Sequence, residues 1–198
     1  MLEFRLWGMR CRLSLLFPAV VTVLLLRQPD GLALSCLLAS LIHECGHLLA
    51  LLALGVPPED CTLGAFGVRI RLGSGLSGYG QNLLISLAGP LINLLAAAGL
   101  LVAGNLQTAT VHLVLAGLNL LPASALDGGE ILYTGLCLLG LEEWSDGVLR
   151  FTSALVLLPL AAVSLLLFFR GGGNPTLLLV SAYLTGLIFF SEKISKNS

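Results

Sequence analysis

Hydrophobic residues form long runs along this chain, instead of the short amphipathic patterns that are typical of a soluble domain. About 20 consecutive apolar residues are enough to cross a bilayer as an α-helix. Six runs reach or approach that length, at about 12–26, 32–54, 82–104, 109–139, 151–169 and 176–190. The pattern predicts an all-α polytopic membrane protein with about six transmembrane helices, folded as a single membrane-embedded domain over residues 1–198.

The fourth run is too long for one straight helix, and it contains residues that interrupt helices. Pro122 and the turn Asp127-Gly128-Gly129 both lie within it. We predict a span to about residue 121, a broken stretch, and a short helix from Glu130 to Leu139. Irregular backbone at membrane depth is tolerated where it lines a cavity or is buried in protein. The break therefore favours a functional site near Asp127.

The polar loop between the second and third runs carries a different periodicity. Residues 66–72 alternate between apolar side chains and glycine or arginine. This period of two predicts a short β-strand or hairpin at the membrane interface. One interpretation is that this strand, with Phe66 and Val68, pairs with an extended substrate peptide. The other is that its arginines bind lipid phosphates, and the sequence leaves both open.

Composition and charge narrow the class of protein further. Of the 198 residues, 57% are hydrophobic and 11% are charged, whereas a soluble domain carries about 25% charged residues. The solvent for so much apolar surface is lipid. The net charge of −1 argues against a general affinity for nucleic acid. The five cysteines are odd in number and lack a regular framework spacing, so we expect no structural disulfides.

The distribution of lysine and arginine predicts the orientation in the membrane. Six spans would place both termini on the same side. That side would hold eight of the ten basic residues, and the other side would hold Arg27 and Arg170. Because basic residues are enriched in cytoplasmic loops, both termini are predicted to be cytoplasmic.

The pentapeptide His43-Glu44-Cys45-Gly46-His47 lies inside the second run. Histidines four residues apart lie on one face of a helix and can hold one metal ion between them. Glu44 lies at the flank of that face, close enough to contact a metal-bound water, whereas Cys45 should face away. Ionisable groups are costly in hydrocarbon and are usually functional there. The motif therefore predicts a hydrolytic zinc site within the membrane.

A hydrolytic zinc site needs a third protein ligand besides two histidines. Besides Glu44, two carboxylates lie well inside an apolar run, those of Asp127 and Glu130. Asp127 is the better candidate because Gly128 and Gly129 let the backbone bend close to the metal. Glu130 is either an outer partner of the ligands or, as we prefer, a charge in the first turn of the next helix. His112 is expected to be a residue at the membrane boundary.

Three motifs together resemble the site-2 protease family of intramembrane metalloproteases. They are the His43–His47 pentapeptide, the later stretch from Asn119 to Gly129, and the intervening segment Ser86–Asn93. The resemblance covers about residues 32–139. It implies one zinc ion held by His43, His47 and Asp127, with Glu44 as the catalytic base.

The same resemblance implies a three-helix catalytic core over about 32–139, with accessory spans at about 12–26, 151–169 and 176–190. It also implies a zinc metalloendopeptidase of the bacterial cell membrane that cleaves membrane-spanning or membrane-tethered proteins. The chain is similar to the branch that processes a sigma factor during sporulation. A pro-sigma factor or an anti-sigma factor is thus a candidate substrate, and a regulatory membrane protein is a further expected partner.

Two asparagines in these motifs have alternative interpretations. Asn119 and Asn93 would either hold the unwound substrate strand or brace the metal ligands. The simpler interpretation is that they form hydrogen bonds between helices, which contribute about 1 kcal/mol or less.

Two other functions are compatible with a membrane metal site. A metal transporter would need acidic or histidine residues at several depths, whereas this chain has essentially one cluster. A catalytically inactive scaffold with the same fold would not need Glu44, which is present. Both are weaker hypotheses than the protease.

Overall fold

Five helices make up most of the part of the chain that the computed structural model describes. The backbone is described for residues 2–6, 9–13, 31–56, 58–64, 67–72 and 78–169, and the side chains for 31–56 and 78–169. The helices are α1 (Leu32–Leu54), α2 (Tyr79–Val102), α3 (Leu106–Asn119), α4 (Asp127–Leu138) and α5 (Glu142–Phe169).

Helix α1 has the bounds of the second hydrophobic run. A glycine with positive φ lies at each end, Gly31 at 76° and Gly55 at 66°. This left-handed backbone is common in glycine and costly for other residues, so it ends the helix. The backbone N–H of Gly55 donates to the carbonyls of Leu51 and Leu52. The prediction of a helix over 32–54 is confirmed.

Helices α1 and α2 pack closely because small residues lie between them. A Cβ added to Gly46 would lie 2.6 Å from the carbonyl oxygen of Ala88 and 2.8 Å from Cγ2 of Ile92. Glycine therefore lets the two backbones approach. A buried hydrophobic cluster extends this packing beyond the end of α1, and its members are Leu51, Val56 and Ile85.

Four strands form one sheet in the order β1 (Leu2–Leu6), β2 (Met9–Leu13), β3 (Pro58–Gly64) and β4 (Gly67–Leu72). Strands β2 and β3 are parallel, and the other two pairs are antiparallel. Of the strand predicted at 66–72, residues 67–72 form β4, at an edge of this described sheet. Its location at the membrane interface stays a prediction.

The N-terminal strands correct the sequence interpretation. The first predicted span begins at residue 12, but Met9–Leu13 is the strand β2. Apolar and basic residues alternate there, which is a strand period, and the predicted span did not account for this alternation. The rest of that run, and the predicted span at 176–190, lie outside the described residues.

The fourth hydrophobic run is broken, as predicted. Helix α3 ends at Asn119 and α4 begins at Asp127, with irregular backbone between them. The expected start at Glu130 was wrong by three residues. Leu126 has extended backbone, with φ −123° and ψ 161°, so the helix begins immediately after it. A carboxylate in the first turn is favoured by the helix dipole, which suits Asp127.

By its internal contacts the chain divides into two units, Met1–Leu118 and Asn119–Ser198. The first contains the sheet, α1, α2 and nearly all of α3, and the second contains α4 and α5. Whether residues 1–198 act as a single domain stays a prediction.

Three of the described helices, α1, α2 and α5, are long and apolar enough to cross a membrane. Helix α5 contains the predicted span at 151–169. Many large apolar side chains on these helices are exposed, including Leu41, Leu95 and Leu155. The molecule is a membrane protein. The total of six spans, of which these helices account for three, stays a prediction.

Candidate metal centre

Helix α1 places the two imidazoles of the pentapeptide next to each other. His43 and His47 are one helical turn apart, and 5% and 8% of their surface is exposed. Their ring centroids are 4.8 Å apart and the rings are nearly perpendicular, at 83°. The two Nε2 atoms are 3.2 Å apart. Both rings therefore direct the same nitrogen toward one point.

This separation matches what one zinc ion would impose. Zinc binds imidazole nitrogen at about 2.0–2.1 Å, so two nitrogens of a tetrahedral site lie about 3.3–3.4 Å apart. The observed 3.2 Å between the Nε2 atoms is close to that value. The pair fits as two ligands of one tetrahedral ion with little rearrangement.

The other nitrogen of each ring is held by helix α2. Nδ1 of His47 donates to the backbone carbonyl of Ile85 over 2.8 Å. Nδ1 of His43 lies 3.2 Å from Nδ2 of Asn93. Metal-binding histidines usually donate from their second ring nitrogen to an acceptor, which orients the ring and selects its tautomer. The contact of His47 with the carbonyl of Ile85 is of this kind.

Gly89 brings the backbone of α2 against both rings. A Cβ at this position would contact Nε2 and Cε1 of His47 and lie 2.8 Å from Cε1 of His43. No residue with a side chain fits there without moving the imidazoles. The sequence analysis did not foresee this contact, although Gly89 lies in the motif segment Ser86–Asn93. The signal available in the sequence is a glycine in a motif segment of an otherwise leucine-rich helix.

The residues between the histidines differ in their exposure. Glu44 is partly buried on α1, directly after His43. Cys45 is exposed and is a free thiol. The placement of Cys45 agrees with the expectation that it faces away from the histidine pair.

In the second unit, Asp127 is the first residue of α4 and is partly buried. The turn before it is tightly packed on its own backbone. A Cβ on Gly128 would contact the carbonyls of Leu120 and Leu121, and one on Gly129 would contact the carbonyl of Ala123. Both glycines are thus required by close approach of backbone to backbone. This packing holds the start of α4 in one place.

Hydrogen bonds fix the same turn. The N–H of Leu126 donates to the carbonyl of Ala123 over 2.9 Å. The N–H of Ser124 donates to Oγ of Ser153 on α5 over 2.8 Å. The carboxylate of Asp127 therefore projects from a defined turn and not from a loose loop.

The other predicted site residues are placed as follows. Asn119 is partly buried at the end of α3. Phe66 lies outside the described residues, and Val68 lies in β4, where the structure describes backbone only. Asn93 is completely buried, with its amide between the rings of His43 and His112.

Sequence reasoning missed the burial of His112 and its partner. Only 2% of its surface is exposed, whereas its expected depth at the membrane boundary stays a prediction. Its Nδ1 lies 3.0 Å from Oδ1 of Asn93. A helical pattern shows which face of α3 it lies on but does not identify its partner, so the contact with Asn93 could not be foreseen.

Comparisons with known proteins agree with this architecture. In an alignment 109 residues long that covers 48% of this chain, the sequence is 33% identical to a Synechocystis sp. protein that bears the provisional name of a zinc metalloprotease. The chain spans 29% of the length of that relative. No protein-family model matches the chain.

The structure is also similar to that of the site-2 protease from Methanocaldococcus jannaschii, with a TM-score of 0.65. The match covers 92% of this chain and 91% of that one, at 23% sequence identity. A likeness at this identity establishes a common fold. The predicted resemblance to the site-2 protease family is therefore confirmed at the level of the fold.

Proposed function

We propose that this chain is an intramembrane zinc metalloprotease of the site-2 protease family. The observation that carries the proposal is the pair of buried imidazoles on α1, whose Nε2 atoms lie 3.2 Å apart. This is a zinc-ligand geometry inside a helix apolar enough to cross a membrane. The shared fold and the zinc metalloprotease name of the Synechocystis protein support the same class.

The proposed ligands of one zinc ion are His43, His47 and Asp127. Two neutral imidazoles and one carboxylate leave a fourth position open, as hydrolytic zinc sites require. The rigid turn that begins α4 supports Asp127 as the third ligand, because a ligand fixed before metal binding loses little conformational freedom. Zinc bound by these residues would supply Lewis acidity to the scissile carbonyl and to the attacking water.

Glu44 is proposed as the general base. It follows His43 on the same helix, so its carboxylate is close to the face that holds the metal ligands. Its carboxylate would accept a proton from the attacking water and then donate it to the leaving amine nitrogen. Both transfers use the same oxygen pair and leave Glu44 unchanged after each cleavage.

The proposed substrate is a membrane-spanning or membrane-tethered protein. Its helix must unwind locally, because a helical carbonyl is hydrogen-bonded and shielded from attack. The edge strand β4 supports one means of holding the unwound segment, since the backbone of an edge strand can pair with an extended peptide. Asn119 is proposed to bind the same segment through its amide. A pro-sigma factor or an anti-sigma factor is the substrate class we propose to test first.

The proposed setting is a bacterial cell membrane, with six spans and both termini in the cytoplasm. The excess of basic residues at the termini supports this orientation. Reporter fusions at residues 1 and 198 would test it, because the proposal requires both to be active in the cytoplasm. A terminal reporter active on the outer face would contradict it.

Co-expression with candidate tethered transcription factors tests the activity. The wild-type chain is expected to release a shortened factor, whereas Glu44→Gln is expected to release none and to retain its zinc. Glutamine preserves the size of the side chain but cannot accept the proton. Cys45→Ser, an exposed change beside the base, is the control and should cleave normally. Cleavage by Glu44→Gln at the wild-type rate would contradict the role of Glu44.

A further inference from the structure

A buried hydrogen-bonded chain of three side chains links helices α1, α2 and α3. The amide of Asn93 on α2 lies between Nδ1 of His43, at 3.2 Å, and Nδ1 of His112, at 3.0 Å. The exposed fractions are 5% for His43, 0% for Asn93 and 2% for His112. No proposed step of peptide hydrolysis uses His112, so its burial against Asn93 calls for another explanation.

The two ends of an amide are chemically different, because the oxygen accepts hydrogen bonds and the nitrogen donates them. Only one of these ends is a suitable partner for Nδ1 of a histidine that binds metal through Nε2. If Nδ2 of Asn93 donates to Nδ1 of His43, the neutral ring must carry its proton on Nε2. That proton occupies the lone pair that a metal would bind. If Oδ1 faces His43 instead, Nδ1 carries the proton and Nε2 is open to the metal. The second arrangement is the one in which a metal-binding histidine donates to an outer acceptor.

A half-turn of the amide from the orientation in the structure exchanges its two ends without moving either ring. Oδ1 then accepts from Nδ1–H of His43, and Nδ2 faces Nδ1 of His112. This orientation satisfies the amide only if His112 presents a lone pair at Nδ1, with its own proton on Nε2. Leaving a buried amide hydrogen without an acceptor is costly. The tautomer of His112 therefore selects the orientation of Asn93.

We propose that His112, acting through Asn93, is a positioning residue that sets the tautomer of His43 for zinc binding. The inference rests on the proposed function, because it concerns the metal that this function requires. His112 contacts neither zinc nor substrate in this account. It presents an acceptor to Asn93, so that Asn93 presents an acceptor to His43.

A purely structural role for the three residues leads to different expectations. If they only join the helices, any change that preserves the fold should leave the zinc affinity unchanged. If they set the tautomer, zinc affinity should be high when an acceptor faces Nδ1 of His43 and lower when none does. The dissociation constant for zinc, measured on the purified full chain in detergent by competition with a chelator, separates the two.

The single variants give the first test. Asn93→Leu removes the acceptor and is expected to weaken zinc binding about 10–100-fold, as loss of an outer partner of a metal ligand usually does. His112→Leu is expected to weaken it by a smaller factor, because the amide can then adopt both orientations. His112→Gln supplies a new acceptor through Oε1 and is expected to restore affinity close to that of the wild type.

Combined variants test whether His112 acts through Asn93. A carboxylate has an acceptor on both sides, so Asn93→Asp should bind zinc with nearly wild-type affinity. When His112→Leu is added to Asn93→Asp, the zinc affinity should not fall further. When His112→Leu is added to Asn93→Leu, the zinc affinity should likewise not fall below that of Asn93→Leu alone. The control is Leu157→Ala, which removes buried apolar atoms from α5, a helix that carries none of the three side chains, and should lower thermal stability without changing the zinc affinity.

The outcomes distinguish this inference from the proposed function. If wild-type protein binds one zinc ion and both Asn93→Leu and His112→Leu bind it equally tightly, the inference is overturned and the protease proposal stands. If Asn93→Leu does not fold, two other results would overturn the inference. One is equal zinc affinity in His112→Leu and His112→Gln. The other is a lower zinc affinity in the double variant Asn93→Asp/His112→Leu than in Asn93→Asp alone. If the wild-type chain binds no zinc, both proposals are wrong.

Discussion

Single residues determine which nitrogen of each imidazole is available to a metal. His47 donates from Nδ1 to the carbonyl of Ile85 over 2.8 Å, so a neutral ring leaves Nε2 unprotonated. A backbone carbonyl cannot act as a donor, and the tautomer of His47 is therefore fixed by the fold. His43 instead faces a side-chain amide, which can turn. The two ligands are thus controlled differently, although they look equivalent in the sequence.

The contact of Gly89 with both rings leads to a prediction at this scale. Gly89→Ala adds a methyl group against Nε2 and Cε1 of His47, so at least one ring must turn away from the metal-binding geometry. We expect zinc affinity to fall by more than about tenfold, since ligand orientation governs affinity. Metal analysis and chelator competition on purified protein would measure it.

Gly99→Ala on the same helix is the matched control. A Cβ at Gly99 has no atom within 4 Å among the described residues, so zinc affinity should not change. Wild-type zinc affinity in Gly89→Ala would show that the rings do not need this close approach, and would contradict the site geometry.

At the scale of helices and strands, the sequence predicted the elements whose ends have a local cause. Helix α1 was predicted with its bounds from an unbroken apolar run, and in the structure Gly31 and Gly55 lie at its two ends. The break after α3 was foreseen from Pro122. The start of α4 was placed three residues late, because it depends on the extended backbone of Leu126, which no local signal showed.

The strands β1 and β2 were missed for a related reason. Arginines beside an apolar run are usual at the end of a membrane span, and the same residues also alternate as a strand does. Pairing between distant segments decides between these interpretations, since β2 pairs with β3 some 50 residues later. The contact of His112 with Asn93 likewise depends on packing between helices. Local pattern predicted the pieces of the site but not the partners of its side chains.

The tight turn before α4 leads to a prediction about this element. Gly128→Ala places a Cβ against the carbonyls of Leu120 and Leu121, so the turn that carries Asp127 must open. We expect a loss of about 1–3 kcal/mol in stability, as for other overpacked sites, together with weaker zinc binding. Thermal unfolding and metal analysis would test both.

Gly135→Ala, on the same helix, serves for comparison. Its Cβ would meet no atom within 4 Å in the described part of the chain, and alanine is the better helix former by about 1 kcal/mol. It should be as stable as the wild type or more so. Equal behaviour of Gly128→Ala and Gly135→Ala would show that the turn does not constrain Asp127.

At the scale of the whole molecule, the described helices combine exposed apolar side chains with a small set of buried polar groups. Large hydrophobic side chains on α1, α2 and α5 are exposed, as lipid contact requires, whereas His43, Asn93 and His112 are nearly inaccessible. The membrane class was predictable from composition, because no soluble fold could cover so many leucines. The fold itself became evident from the order of the motifs and is shared with the archaeal site-2 protease.

Metal removal should affect the stability of the whole chain. The proposed ligands come from residues 43, 47 and 127, so bound zinc favours the folded state over the unfolded one. At a free zinc concentration 100 times the dissociation constant, the stabilisation is about 2.7 kcal/mol. We expect a chelator to lower the midpoint of thermal unfolding of the wild type, and added zinc to restore it. The same midpoint with and without chelator would contradict this prediction.

The most direct test of the central claim is the zinc affinity of Asp127→Asn beside that of the wild-type chain, both purified at full length. The account predicts about one zinc ion per wild-type chain. It also predicts that Asp127→Asn loses more affinity than the about 10–100-fold typical of an outer partner, because a ligand is removed. Wild-type zinc binding by Asp127→Asn would contradict the account, since the two histidines would then bind their metal without this carboxylate.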